Sequence, residues 1–180
     1  VLILGAFVLP AQIGVYAVAK KLAHLLVALI DPLRAAIYPQ LAALIPQKRY
    51  GEIKVFLKSV TVKLSLALIL GAILFFIFGK ELIALLYGSE YAAGFLPMLI
   101  LILGINFNQA FFWSMPLILS LNLTLFKLKV DALNMALSIL IALVMVSQFG
   151  IIGSAIALAF AYIFAQGILL LKIRQTGILK

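Results

Sequence analysis

The chain has 180 residues, of which 67% are hydrophobic and 11% charged, and its mean hydropathy is +1.30. A chain with so few polar residues cannot cover the surface of a soluble domain of this size. The composition therefore predicts an integral membrane protein. The net charge of +9 does not indicate a nucleic-acid partner, because the lysines mostly flank apolar runs and do not alternate with base-stacking residues. No cysteine is present, which excludes disulfides and thiolate chemistry.

The beginning of the chain predicts a fragment of a longer polytopic protein. It opens at Val1 without a methionine, and the apolar stretch to Leu9 is too short to cross about 30 Å of hydrocarbon. We interpret this stretch as the tail of a truncated helix, because it lacks the charged start of a signal peptide.

The first complete span covers residues 12–45 and is longer than the roughly 20 residues that a bilayer needs. It contains Pro32 and Pro39. Because proline removes a backbone hydrogen bond and kinks a helix, we expect one bent helix here, with its end continuing along the membrane surface.

Four further apolar spans follow, at about residues 55–78, 92–121, 125–147 and 151–173. The short neutral segment from Phe149 to Gly153 separates the last two. The pattern predicts an all-α polytopic membrane helix bundle, with residues 1–180 forming a single membrane domain of five complete spans plus the tail of a sixth.

Lysine and arginine concentrate in three segments: before the second span, before the fourth span and after the fifth. The positive-inside rule places these segments, and with them the C-terminal end, in the cytoplasm. The segments near Pro10, Gly88 and Gly150 then lie outside. We therefore expect a multi-pass protein of the cytoplasmic membrane.

The first span carries the sharpest polar pattern of the chain. At 100° per residue, its ionisable residues fall within an arc of roughly 80°. These residues are Lys20, His24, Asp31 and Arg34, flanked by Tyr16 and Tyr38. Ionisable side chains in a membrane helix normally face the bundle interior or an aqueous cavity and mark a substrate or ion path. This face predicts a transporter.

Two interpretations of this face remain open. Asp31 and Arg34 are one turn apart and could simply neutralise each other. Lys20, Lys21 and His24 would then be an excess of positive charge, for which an anionic substrate is the natural partner. Alternatively, Asp31 serves cation or proton coupling. His24 could titrate as a switch, but a single histidine without a second ligand does not indicate a metal site.

Other polar residues fit either helix packing or substrate binding. Asn106 and Gln109 share a face of the third span, and we keep both as cavity candidates. The fourth span carries a polar face of Lys127, Asp131, Asn134 and Ser138, from which Asp131 is a second coupling candidate. Polar side chains in membrane helices more often join neighbouring helices than bind substrate.

The fifth span carries small residues at every fourth position: Gly153, Ala157, Ala161 and Ala165. Close helix packing explains such a ridge. The chain has no glycine-rich phosphate loop, nucleophile elbow, paired carboxylates or metal motif. We therefore expect neither an enzyme nor a cofactor.

The order of several motifs resembles a known family. Residues 14–22 read GVYAVAKKL and residues 37–42 read IYPQLA, while LLYGSEY at 85–91 and FGIIGSAIA at 149–157 follow later. Together they resemble the C-terminal half of the oligosaccharide flippases, also called polysaccharide biosynthesis or O-antigen flippase proteins. These belong to the multidrug/oligosaccharidyl-lipid/polysaccharide exporter superfamily. The resemblance covers nearly the whole chain.

The resemblance implies a transporter of two six-helix lobes around a central cavity, working by alternating access. It would carry a polyprenyl-diphosphate-linked glycan from the inner to the outer leaflet. Implied partners are this glycan, membrane lipids, an N-terminal lobe of the same protein, and polysaccharide polymerase or ligase machinery. Lys20 and Arg34 would meet the diphosphate or an acidic sugar, although the basic cavity residues of the family follow no fixed motif.

Three alternatives stay open at this point. Within the superfamily, the chain could belong to a flippase for the lipid-linked peptidoglycan precursor or to a cation-coupled multidrug exporter. The basic residues favour a lipid diphosphate, whereas a drug exporter should display an unpaired carboxylate in an aromatic cavity. From another class, the chain could be a scaffold subunit that holds synthesis enzymes at the membrane.

Overall fold

The computed structural model describes residues 2–28, 30–47 and 49–178, apart from the side chains of Leu2, Ile3, Ala28, Arg34, Ala35, Tyr38 and Ala42. The described residues form helices and no strand. These helices are α1 (Leu2–Phe7), α2 (Pro10–Ala28), α3 (Asp31–Leu44), α4 (Tyr50–Tyr87), a 3-10 helix (Ser89–Gly94), α5 (Phe95–Ala110), α6 (Ser114–Ser120) and α7 (Thr124–Gln175).

Three described helical stretches are long and apolar enough to cross a membrane: Tyr50–Tyr87, Ser89–Ser120 and Thr124–Gln175. Their outward faces are apolar, as Leu70 and Phe76 of α4 and Leu128 of α7 illustrate with more than half of their surface exposed. Large exposed apolar faces are unfavourable in water and favourable in lipid. The predicted all-α membrane helix bundle is therefore confirmed.

The first predicted span forms two helices instead of one bent helix. Helix α2 ends at Ala28 and α3 begins at Asp31, and the Ile30 N–H closes a turn on the Val27 carbonyl at 2.8 Å. Pro32 lies in the first turn of α3, where its missing N–H has no helical partner to lose. Proline thus starts a new helix here, where the sequence analysis expected a bend.

Helix α5 is the centre of the bundle and contacts α2, α4 and α7. Its Met98, Leu101 and Ile102 are almost completely buried. A Cβ at Gly104 would lie only 2.6 Å from the Ala159 Cα of α7, so the two backbones touch at this point. The small residues of the last predicted span do serve close packing, but the contact is made by Ala159, which lies outside the predicted ridge.

Helix α7 is a hairpin of two antiparallel arms, residues 124–149 and 151–175. Gly150 breaks the helix with φ 54° and ψ −127°, a conformation that essentially only glycine adopts. A Cβ on Gly153 would run into the Met145 carbonyl, so the chain reverses tightly. At the open end of the hairpin, the Lys172 ammonium lies 5.2 Å from the centre of the Phe126 ring.

Contacts between helices bring the basic segments to one end of the bundle. The Trp113 indole donates a 2.7 Å hydrogen bond to Thr61 of α4, and Ser114 reaches Gln166 of α7. The start of α4 therefore lies level with the open end of the hairpin. We call this end the basic end, and its basic residues are Arg49, Lys54, Lys58, Lys63, Lys127, Lys129, Lys172 and Arg174. The opposite end carries Lys80, Glu81 and Glu90.

Candidate functional site

The polar face of α2 borders a pocket of about 260 Å³ near the hairpin turn, which we call the turn pocket. Its polar lining is Tyr16 and Lys20 from α2, Ser138 from the first arm of α7 and Ser154 from the second arm. Tyr16 is buried and lines the pocket together with Ser154. The remaining wall is aliphatic, so the pocket places a few polar groups in an apolar surround.

Lys20 and Lys21 point in different directions. Lys20 is half-buried and lines the turn pocket, whereas Lys21 is exposed and its ammonium lies 5.9 Å from the centre of the Tyr87 ring. Consecutive residues on a helix are about 100° apart, so both cannot face one pocket. The two lysines that were predicted to form an excess of positive charge therefore face different sides of α2. Lys20 faces the hairpin and Lys21 does not.

His24 joins α2 to the second arm of the hairpin. Its Nδ1 lies 2.9 Å from the Lys20 carbonyl oxygen, which can only accept, so Nδ1 carries the hydrogen and donates it. In the neutral ring Nε2 is then the acceptor, and the Tyr162 hydroxyl lies 3.4 Å away and donates to it. This assignment follows from the hydrogen-bond network. His24 therefore has a helix-joining role in addition to any role in the site.

Asp31 does not continue the α2 face, because it belongs to α3. Asp31 is exposed in the first turn of α3, where the helix dipole favours a carboxylate, and it lines neither of the two pockets described here. The side chain of Arg34 lies outside the described residues. Among the described residues, the polar face predicted for residues 20–34 therefore does not bring Asp31 to the pocket that Lys20 lines.

A second pocket of about 330 Å³ lies between α5, α6 and the two arms of α7, and we call it the basic-end pocket. Its polar lining is Asn108, Ser114, Lys127, Asp131 and Gln166. Lys127 and Asp131 form an ion pair at 2.5 Å along the first arm. The structure thus gives the predicted coupling candidate Asp131 a basic partner one turn away.

Ser114 and Gln166 form the buried wall of the basic-end pocket. Gln166 Nε2 lies 3.0 Å from the Ser114 hydroxyl and also donates to the Phe111 carbonyl at 3.2 Å. No sequence pattern predicted either residue as part of a site. A glutamine within the apolar fifth span was a usable signal, but its partner on α6 depends on the hairpin, which places residues 52 positions apart in contact.

The candidates of α5 lie apart from both pockets. Asn106 donates a 3.0 Å hydrogen bond to the Leu68 carbonyl and so joins α5 to α4, which matches the helix-packing interpretation. Gln109 is buried. Neither residue lines the turn pocket or the basic-end pocket, so the structure does not bring them to Lys20.

The helices and pockets define a class: an integral membrane helix bundle with two pockets that each combine apolar walls with a few polar side chains. Comparison with protein families shows more. The chain belongs to a polysaccharide biosynthesis protein family, whose family model matches residues 1–95. The predicted family is therefore confirmed, and the matched segment contains Lys20 and His24. No curated protein and no solved structure matched the chain.

Proposed function

We propose that the protein moves a polyprenyl-diphosphate-linked oligosaccharide from the inner to the outer leaflet during polysaccharide biosynthesis. The family connects the chain to polysaccharide synthesis or export. The observation that carries the finer proposal is Lys20, a half-buried cation beside a pocket inside a membrane bundle. Such a cation costs a few kcal/mol in lipid and is kept where it serves a path or a ligand.

A diphosphate is the ligand that this arrangement fits best. The Lys20 ammonium has three donors for phosphate oxygens, and the hydroxyls of Tyr16 and Ser154 line the same pocket. Ser138 also lines the pocket, but its hydroxyl donates to the Asn134 carbonyl. The described site holds no pair of carboxylates for acid–base chemistry, so we propose transport and not enzymatic turnover. A second lobe would complete the cavity, as the family resemblance implies.

The charge distribution supports an orientation for this transport. The basic end collects lysines and arginines from α4 and α7, while the opposite end carries Glu81 and Glu90. By the positive-inside rule, the basic end and the C-terminal part of α7 face the cytoplasm. The turn pocket then lies toward the outer leaflet and the basic-end pocket toward the inner leaflet. For coupling, Asp131 is a better candidate than Asp31, because it lines a pocket.

The test compares Lys20→Ala with Lys21→Ala in the complete protein, in cells that depend on it. The readout is the leaflet that holds the lipid-linked glycan. We expect Lys20→Ala to slow outer-leaflet delivery by roughly ten- to a hundredfold, since a charge-assisted hydrogen bond is worth roughly 1.5–3 kcal/mol. Lys21→Ala removes the same charge from the neighbouring face and should deliver normally.

Normal delivery by Lys20→Ala at normal protein levels would remove this residue from the mechanism. Normal delivery after deletion of the whole gene would contradict the proposed function and favour an exporter of another substrate or a scaffold subunit. The conservative variant Lys20→Arg keeps the charge, so it should retain more delivery than Lys20→Ala.

A further inference from the structure

The outward face of α4 carries a surface groove near its start, at the basic end. Two adjoining depressions of about 530 and 460 Å³ form this groove and share Val55 and Ser59. We call the second depression the lysine groove, and its lining is Val55, Lys58, Ser59, Val62 and Lys63. All five side chains are exposed. Because α4 contributes no residue to the turn pocket or the basic-end pocket, the lysine groove is separate from both.

The lysine groove consists of an apolar stripe with a lysine on each side. At 100° per residue, Val55, Val62 and Leu66 fall within an arc of about 40°, while Lys58 and Lys63 lie about 140° apart on either side of it. The three apolar residues each expose more than half of their surface. An apolar stripe with cationic edges is typical of a helix surface that meets lipid headgroups and acyl chains together.

The two lysines can reach one ligand although they are five residues apart. At 1.5 Å per residue, Lys63 lies about 7.5 Å further along the helix than Lys58. Helical side chains lean toward the N-terminus of their helix, so the long Lys63 side chain leans toward Ser59 and the level of Lys58. Two ammonium groups and a hydroxyl, all hydrogen-bond donors, are therefore available at one level.

The positive charge of the lysine groove has no partner within the described part of the chain. Neither Lys58 nor Lys63 forms an ion pair there. The neighbouring carboxylate, Glu52, is paired with Arg49 at 2.5 Å. Two ammonium groups without a counterion make an anion the complementary ligand.

The position of the lysine groove indicates that this anion carries an apolar chain. Lys63 is the last charged residue of α4 before Lys80, and residues 64–79 contain none. The groove therefore lies at the boundary between the charged start of the helix and its apolar, exposed length. A ligand that fits this boundary has a negative headgroup at the lysines and a hydrocarbon chain along the stripe. By the positive-inside rule, the boundary belongs to the cytoplasmic leaflet, where anionic lipids are concentrated.

We propose that the lysine groove binds an anionic phospholipid of the inner leaflet. Lys58, Lys63 and the Ser59 hydroxyl hold its phosphate, and one acyl chain lies along Val62 and Leu66. This lipid is a component of the bilayer and not the transported cargo, so the proposal does not rest on the proposed function. A soluble phosphate ester would leave the apolar stripe uncovered, and a protein segment would need acidic residues opposite both lysines.

The test measures lipid preference beside the groove by fluorescence quenching. A bimane label is attached to Ile69→Cys in the complete protein, with any other cysteine replaced. Ile69 is exposed and lies seven residues beyond Val62 on the same face, so the groove itself stays unaltered. The probe is phosphatidylglycerol with brominated acyl chains, mixed into phosphatidylcholine vesicles. Brominated phosphatidylcholine is the reference, and its quenching also shows that each variant inserts normally.

Phosphatidylglycerol should bind about 25-fold more tightly than phosphatidylcholine at low salt, because each lysine near the surface contributes about fivefold. Lys58→Gln and Lys63→Gln should each lower this preference about fivefold, and the double variant should lose it. Lys58→Arg keeps the charge and should keep the preference. Lys129→Gln is the matched control, because Lys129 is an exposed lysine of the same end outside the groove. In 1 M salt the preference should fall, since the Debye length is then about 3 Å.

Three results would overturn the proposal. An equal preference in the unaltered protein and the double variant would show that the lysine groove does not select the lipid. Loss of the preference in excess glycerol phosphate, which has the headgroup without the chains, would assign the groove to a free phosphate ester. Absence of quenching by either brominated lipid would show that protein covers this face.

Discussion

At the residue scale, the interior of the bundle is held by a few polar contacts between helices. The Trp113 indole and the Thr61 hydroxyl connect the α5–α6 junction to α4 at 2.7 Å. Further along both helices, Asn106 of α5 donates a hydrogen bond to the Leu68 carbonyl of α4. Hydrophobic burial contributes little between helices in lipid, because lipid tails are as apolar as leucine, so such contacts matter for the packing.

The Trp113–Thr61 hydrogen bond can be measured with a double-mutant cycle. The variants are Trp113→Phe, Thr61→Val and the pair, each unfolded in mixed detergent micelles. The coupling free energy should be about 0.6 kcal/mol, the average for such bonds in a membrane protein. The double variant should lose less stability than the sum of the single variants. Strict additivity would show that the bond contributes nothing.

The sequence predicted part of the site at this scale. Lys20 and His24 lie on one side of α2 because a regular helix sets their spacing. Ser114 and Gln166 were not predicted because their contact depends on how α7 folds back. No local sequence pattern contains that information. Lys21 was grouped with Lys20 by its charge, although helical geometry already separates adjacent residues by about 100°.

At the element scale, the hairpin depends on Gly150. Its φ of 54° and ψ of −127° would strain any residue with a Cβ by about 1–3 kcal/mol. Without this reversal, the two arms could not enclose either pocket between them and their neighbours. The hairpin turn is therefore required for both candidate sites.

Gly150→Ala should lower the free energy of unfolding by about 1–3 kcal/mol. Gly167→Ala is the matched control, because Gly167 lies within the second arm and a Cβ there would meet nothing within 4 Å. In a regular helix, alanine is favoured over glycine by roughly 0.8–1 kcal/mol. Denaturant unfolding of both variants in micelles gives the comparison, and equal stability of the two would contradict the assigned role of Gly150.

The predicted elements and the observed helices differ for identifiable reasons. The neutral Phe149–Gly153 segment contains the break at Gly150, where the glycine pattern indicated a turn. The division of α2 from α3 was missed because Pro32 fits both a kink and the first turn of a helix. The sequence alone does not decide between a kink and a helix start at Pro32. The outcome depends on the packing of α3 against α4 and α6.

At the scale of the whole molecule, the composition predicted the membrane bundle. The distribution of lysine and arginine predicted that one end of the bundle is more basic than the other. The arrangement of helices was beyond the sequence, because apolar spans of similar length can pack in many orders. The central helix α5 contacts α2, α4 and α7, and its close approach to α7 joins Gly104 to Ala159, residues 55 positions apart. A resemblance to known transporters supplied the family but not this packing.

The orientation of the molecule can be tested with two topology reporters. A fluorescent protein that folds only in the cytoplasm is fused after Gln175, and a phosphatase that is active only outside is inserted at Gly88. Both should be active, because the basic end is expected inside and the end with Glu81 and Glu90 outside. Exchanging the two reporters provides the control, and activity of the exchanged pair alone would reverse the orientation.

The length of α4 has a consequence for how deep the molecule sits in the bilayer. Its 38 residues extend about 57 Å, nearly twice the hydrocarbon thickness of about 30 Å. An average tilt of about 20° shortens this projection by only a few ångströms. Both ends of α4 must therefore protrude, with Lys54 and Lys58 among the lipid phosphates at one surface and Lys80 and Glu81 at the other. The charged turns near the two ends of α4 therefore determine how deep the whole bundle lies in the bilayer.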